Sequence, residues 1–372
     1  MLIPNAPTPR ALRSISPSLY EALLSCPARA AWYATGTRGA VAPHPSALLA
    51  ISFHGVMEAL QKGRITGTDE ECRLGARSLF DGLAARIHTE AHPLIKVKFP
   101  SPQKLPYYNL LRERSAALAA DYSRSGERQE AGRAVAEGRF ESSDGVIVGR
   151  PDMVDVGRAV VVDYKTGQAA KDGWRVSERE ARQLSLYVYL AAEAGITATR
   201  GMIVRGNGDT ARIDISKDTA NAEAERARKV LAEFNASIDG GSTFYGFARP
   251  SADACRMCPC IPLCERFWEA ADPSWSDECG IHLEGTVTAA RPASVQGTAL
   301  LTVEVDASRG TIRKCEATIE QIPAAWVVAD GDRAPEAGDT VRLVDARLVS
   351  EDPTVIRADR VTTSLWRVGG ET

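Results

Sequence analysis

The sequence predicts a mixed α/β body followed by a small all-β barrel of the OB type. Three observations carry this expectation. Up to about residue 279, helix-period segments alternate with short β-like runs. From residue 280 onward the chain changes to apolar/polar alternation, in five runs separated by turn residues. Within the first part, residues 145–166 read as an apolar hairpin interrupted by three charges. The expected division is 1–279 and 280–372, with a helical insert at about 65–140.

The bulk numbers narrow the field. The chain has 372 residues, 44% of them apolar and 25% charged, enough for more than one core. A net charge of −3 gives no global field for a polyanion or an acidic membrane, so any nucleic-acid contact must be local. No apolar run approaches the roughly 18 residues that a membrane-spanning helix needs. The opening MLIPNAPTPRALRS lacks the apolar stretch of a secretory signal. A cytoplasmic protein is expected, and its eight cysteines are then thiols or metal ligands rather than disulfides. There is no G-x-x-x-x-G-K-[ST] loop, which argues against an ATP motor, and no internal repeat.

The elements follow in order. Residues 14–36 predict a helix entered through Ser16-Pro17, with proline at the first helical position. Residues 46–62 predict a second helix, with Phe53, Val56, Met57 and Leu60 on one face. From 69 to 138 the pattern is mostly helical, broken by the loop PLIKVKFPSPQKLP. Residues 177–194 form a helix closed by Gly195. Strands are expected at 201–206 and 210–216, and an exposed helix at 217–238. A cysteine-rich loop at 255–264 precedes the barrel.

The hairpin VGRPDMVDVGRAVVVDYKTG carries the first sign of chemistry. Asp163 and Lys165 are two apart on a strand and so point to one face. A turn at Gly157-Arg158 would return Asp152 to Asp163. Two adjacent carboxylates repel unless a cation lies between them. Mg²⁺ takes oxygen ligands of this kind and keeps sites for water and phosphate. A neighbouring lysine can hold the attacking water and offset phosphate charge. The set suits metal-assisted phosphodiester hydrolysis, although ordinary surface charges on a hairpin would look similar.

The second sign is CRMCPCIPLC, with Cys255-x₂-Cys258-x₅-Cys264 and an extra Cys260. Thiols this close in a reduced compartment point to metal, and zinc is the reading from spacing alone. Cys72, Cys279 and Cys315 are isolated and read as ordinary buried residues.

Pro151-Asp152 followed by Asp163-Tyr164-Lys165 resembles the signature of the PD-(D/E)XK nuclease superfamily. GRPDMVD and VVDYKTG are similar to its RecB-like branch, which includes Cas4-like nucleases, the nuclease domains of RecB and AddB, and exonuclease V. LLAISFHGVMEAL resembles the branch's histidine-bearing helix, QLSLYVYL its Q-x-x-x-Y motif, and SISPSLYEALLSCPARAAWY its N-terminal start. The resemblance covers about residues 14–270 and implies a restriction-endonuclease-like core. It implies Mg²⁺ or Mn²⁺ held by His54, Asp152, Asp163 and the Tyr164 carbonyl. Lys165 would position the water, and Gln183 and Tyr187, on one helix face, would orient Lys165 or a bound phosphate. It also implies a [4Fe–4S] cluster on Cys26, Cys255, Cys258 and Cys264. Cys260 remains an alternative fourth ligand, and Zn²⁺ an alternative metal.

The function implied is a metal-dependent deoxyribonuclease, an exonuclease rather than an endonuclease. Its substrate would be single-stranded or frayed-end DNA, in DNA repair or defence against foreign DNA. The alternative is a non-catalytic nucleic-acid-binding or scaffold subunit of such a complex. Lys96, Lys98, Lys104, Tyr107, Tyr108, Arg112 and Arg114 interleave basic and aromatic side chains, as a single-strand path does. The barrel has 10 Lys and Arg against 14 Asp and Glu, and only Trp326 and Trp366 to offer as stacking surfaces. DNA binding and a protein-contact role are equally open for it.

Overall fold

The structure, a computed structural model, describes residues 1–35, 41–124, 134–136, 138–166, 175–206, 209–295, 298–313, 315–328, 333–359 and 361–368. The N-terminal segment forms two helices rather than one, α1 (Pro17–Ser25) and α2 (Pro27–Ala34), because Pro27 cannot continue α1. Ser16 caps α1 by accepting from Leu19 N. Helix α3 (Pro45–Gln61) follows, then α4 (Asp69–Glu90), the short α5 (Pro93–Lys98) inside the expected loop, and α6 (Tyr108–Arg124). The helical reading of 125–133 lies outside the described residues. Helices α3, α4 and α6 share a core of Phe53, Val56, Phe80 and Leu111.

The central sheet has the order β1 (Ala134–Ala136), β4 (Met153–Asp155), β5 (Val160–Lys165), β6 (Arg200–Arg205), β7 (Thr210–Asp214). A separate pair, β2 (Phe140–Glu141) and β3 (Val148–Gly149), precedes β4. β4 and β5 are antiparallel neighbours, as a hairpin requires, and β5 pairs parallel with β6. The crossover between β5 and β6 is α7 (Glu178–Glu193), which starts in a capping box of Ser177 and Glu180. Two glycines let α7 lie close. A Cβ on Gly201 would stand 2.7 Å from Leu184 Cδ1, and one on Gly149 would stand 2.7 Å from Leu190 Cδ1. Helix α8 (Lys217–Asp239) packs beside α7.

Short helices α9 (Ala252–Cys255), α10 (Glu265–Ala270) and α11 (Ser276–Cys279) lead to the barrel. Its strands are β8 (Ile281–Val295), β9 (Thr298–Gly310), β10 (Cys315–Pro323), β11 (Thr340–Glu351) and β12 (Thr354–Arg357), with α12 (Ala324–Val327) after the third. They close in the order β8-β9-β10-β12-β11-β8, with β10 and β12 parallel. This is a five-stranded, OB-like Greek-key barrel. A further strand, β13 (Ser364–Arg367), pairs with β11. The interior holds Leu283, Val305, Ile319, Leu343 and Ile356. Buried Arg342 ties the barrel to the body by donating to Glu284 Oε2 at 2.6 Å, to Pro262 O at 2.7 Å and to Glu265 Oε1. Among the described residues no helix is long and apolar enough to cross a membrane.

Candidate active site

Asp152 follows buried Pro151 at the entry to β4. One carboxylate oxygen, Oδ2, accepts from Tyr164 N at 2.6 Å and so bridges to β5. The other, Oδ1, lies 2.9 Å from His54 Nδ1 on α3. Asp163 is buried at 4% exposure. Gln183 Nε2 donates to its Oδ1 at 2.8 Å, and Lys165 Nζ lies 2.7 Å from its Oδ2. Lys165 also donates to Gln183 Oε1 at 2.9 Å, which closes a three-residue ring. Gln183 and Tyr187 are one turn apart on α7, and Gln183 Nε2 reaches Tyr187 Oη at 3.4 Å. The six side chains read from the sequence therefore meet in one place, at the edge where α3, β5 and α7 converge.

Burial pushes the Asp163 carboxyl up; Lys165 pulls it down, and the Asp152 charge adds to the rise. Asp163 Oδ2 is buried and accepts no aligned hydrogen bond. Asp152 lies near enough for its charge to act on Asp163, and carboxylate oxygens are donors of the kind a hard divalent cation takes up. The donor set fits such an ion. Among the described residues, however, no group of three or more His, Cys, Asp or Glu side chains forms a ready-made metal cage.

One contributor has no counterpart in the sequence reading. Gln61 Nε2 donates to Tyr164 Oη at 3.2 Å. Gln61 lies seven residues after His54, two turns along the same stripe of α3. That spacing was the available signal. The Tyr164 ring in turn packs edge-on against Phe53 at 6.4 Å.

The family model for the PD-(D/E)XK nuclease superfamily matches residues 14–265, more than half of the chain. The chain belongs to this superfamily. No curated protein matches the chain.

The superfamily match ends one residue after Cys264 and takes in the cysteine loop. Cys26, at the break between α1 and α2, meets that loop in space. Its Sγ accepts from Arg249 N at 3.4 Å. Cys26, Cys255, Cys258, Cys260 and Cys264 line one pocket together with Arg29. Cys26 and Cys260 thus both stand with the other three thiols, and none of the five forms a disulfide. A thiol hydrogen bond from Cys260, aided by Arg29, holds Cys258 below the ordinary thiol range, while burial pushes Cys264 up to about 12.

The isolated cysteines divide. Cys72 is buried in the helical core and Cys315 is half-buried on the barrel. Cys279 has a neighbour that the sequence reading did not foresee, His282 Nε2 at 3.6 Å. His282 Nδ1 accepts from Asp345 N at 3.2 Å, so its proton is on Nε2, 2.8 Å from Cys279 O. A ring protonated on that side cannot act as base toward the thiol.

The basic and aromatic run of residues 96–114 does not stay together. Lys98 is buried, donates to Thr363 O and lies 4.5 Å from the Trp326 ring centroid. Tyr108 is buried and donates to Asp81 Oδ1 at 2.7 Å, where Arg112 also donates. Lys98 and Tyr108 are structural, because the barrel and the helical core cover them, and Arg112 is engaged with Asp81. Trp326 is occupied by Lys98 and Trp366 is 2% exposed, so neither offers the stacking surface expected of it.

Proposed function

We propose that this chain is a metal-dependent deoxyribonuclease of the RecB-like, Cas4-like and exonuclease V branch. It acts as an exonuclease on single-stranded or frayed-end DNA, in repair or in defence against foreign DNA. The observation that carries the reading is the ring of Asp163, Lys165 and Gln183, with Asp152 held by His54 and Tyr164 N beside it.

His54, Asp152, Asp163 and the Tyr164 carbonyl are the residues that would hold Mg²⁺ or Mn²⁺. Bound there, the ion supplies an activated water and charge neutralisation at the phosphate. Lys165 directs the water in line with the scissile bond and offsets the charge that grows on the phosphate. Gln183 fixes Lys165, and Tyr187 supports Gln183. His54 and the Tyr164 N–H fix Asp152.

Cys26, Cys255, Cys258 and Cys264 are the proposed ligands of a [4Fe–4S] cluster, with Zn²⁺ the competing occupant. The cluster's role is structural, clasping the N-terminal helices to the end of the nuclease domain. We read residues 1–279 as that domain and 280–372 as the barrel domain, a possible contact for a protein partner.

The test is cleavage of end-labelled single-stranded DNA with Mn²⁺ by the wild type, Asp163→Ala and Lys165→Ala. Cleavage by the wild type alone is expected. Equal cleavage by all three refutes the assignment. Binding without cleavage by the wild type favours the scaffold reading.

A further inference from the structure

Arg114 lies on α6, three turns before the end of that helix. A Cβ placed on Gly206 would stand 3.4 Å from its Nη1 and 3.7 Å from the carbonyl oxygen of Lys165. Gly206 N donates to that carbonyl at 2.7 Å. The guanidinium thus stands beside the end of β5 that delivers Asp163 and Lys165.

Arg114 is half-buried, and among the described residues it has no hydrogen bond or ion pair. Its neighbours are engaged. Arg112 holds Asp81 at 2.7 Å, and Arg205 holds Glu180 at 3.1 Å. A guanidinium that has lost part of its water, with no acceptor among the described residues, is prepared for a phosphate, two of whose oxygens it can grip with two parallel donors.

The approach to Arg114 is apolar. Leu110 lies one turn earlier on the same face of α6 and is 41% exposed. Tyr107, just before the helix, is 57% exposed and adopts φ 68°, a region that side-chain-bearing residues seldom occupy. An exposed ring and an exposed aliphatic side chain leading to an unmatched cation make the pattern of a single-strand track. Bases stack on the first, and a phosphate meets the second. A duplex keeps its bases inside and could use only the cation.

We propose that Arg114 binds a backbone phosphate of a single strand entering the site, while Tyr107 and Leu110 receive its bases. The proposal rests on the nuclease reading above and adds the path by which the single strand enters.

The test separates binding from cleavage. Fluorescence anisotropy follows a labelled oligothymidylate of about 12 nucleotides, within the site size of single-strand grooves, in EDTA. The proteins are the full-length wild type, Arg114→Ala, Arg114→Lys, Tyr107→Ala and Asp163→Asn. The expected result is a Kd raised about tenfold by Arg114→Ala. The salt slope should also shrink by about 0.7, the value for one single-strand phosphate contact. Arg114→Lys should recover part of the loss, and it carries the test if Arg114→Ala does not fold. Tyr107→Ala should weaken single-strand binding and leave blunt-duplex binding unchanged, and Asp163→Asn should bind. Unchanged affinity and slope in the Arg114 variants overturn the proposal and leave the cleavage reading intact. An Arg114 effect on binding in a wild type that does not cleave with Mn²⁺ supports the track and overturns the nuclease reading.

Discussion

Gln183 holds Asp163 at one end of its amide and Lys165 at the other, at 2.8 and 2.9 Å. The amide donates to the carboxylate and accepts from the ammonium at once. Glutamate would lose the donor, and alanine would lose both contacts. Gln183→Ala is therefore expected to lower kcat about a hundredfold with a smaller change in KM, because it frees Lys165 rather than removing it. Tyr187→Phe, which removes a hydroxyl at 3.4 Å, should lower kcat far less. Steady-state cleavage rates check both; equal losses in kcat and kcat/KM across the two variants would count against the ring.

The five-thiol pocket separates two ligand sets. Cys26→Ser and Cys260→Ser, purified anaerobically beside the wild type, should differ in iron content and visible absorbance. The expected pattern is loss of colour and iron in Cys26→Ser and retention of both in Cys260→Ser. The reverse pattern would assign the fourth position to Cys260. A colourless, zinc-replete wild type would reject the iron–sulfur assignment.

Arg342 is 1% exposed and joins the barrel to the segment around Cys264. Arg342→Leu would strip Glu284, itself 4% exposed, of one of its two arginine partners. Breaking a buried ion pair on one side costs about 3–5 kcal/mol. Denaturant unfolding should show a loss of that size, with no new metal dependence.

Burial lowers Lys98 from 10.5 to about 8, against the opposing fields of Asp359 and Asp345. The folded chain thus holds this proton less tightly than the unfolded chain. The Lys98 contribution to stability is full above pH 10.5 and is lost as pH falls through about 8. Across that window it amounts to something on the order of 3 kcal/mol. Lys98→Met should remove this part of the pH slope. Thermal melts of both proteins below pH 8 and between pH 8 and 10.5 check it; parallel curves would show that Lys98 does not titrate in this range.

Local order was legible wherever spacing alone sets direction. The alternation of β5 put Asp163 and Lys165 on one face, the turn of α7 aligned Gln183 with Tyr187, and apolar/polar alternation marked the barrel strands. Pro27 should have divided the N-terminal helix, since its ring excludes a continuous α1. Which side chains share a face within one element could be read from residue spacing, because backbone geometry repeats every two or 3.6 residues. Only the tertiary structure decided which faces meet. It turned Lys98 and Tyr108 inward, brought Gln61 to Tyr164, gathered Cys26 and Cys260 into one pocket, and left Arg114 without a partner among the described residues. The physical reason is that long-range partners follow from how buried surfaces pack, and residue spacing along the chain carries no measure of that packing.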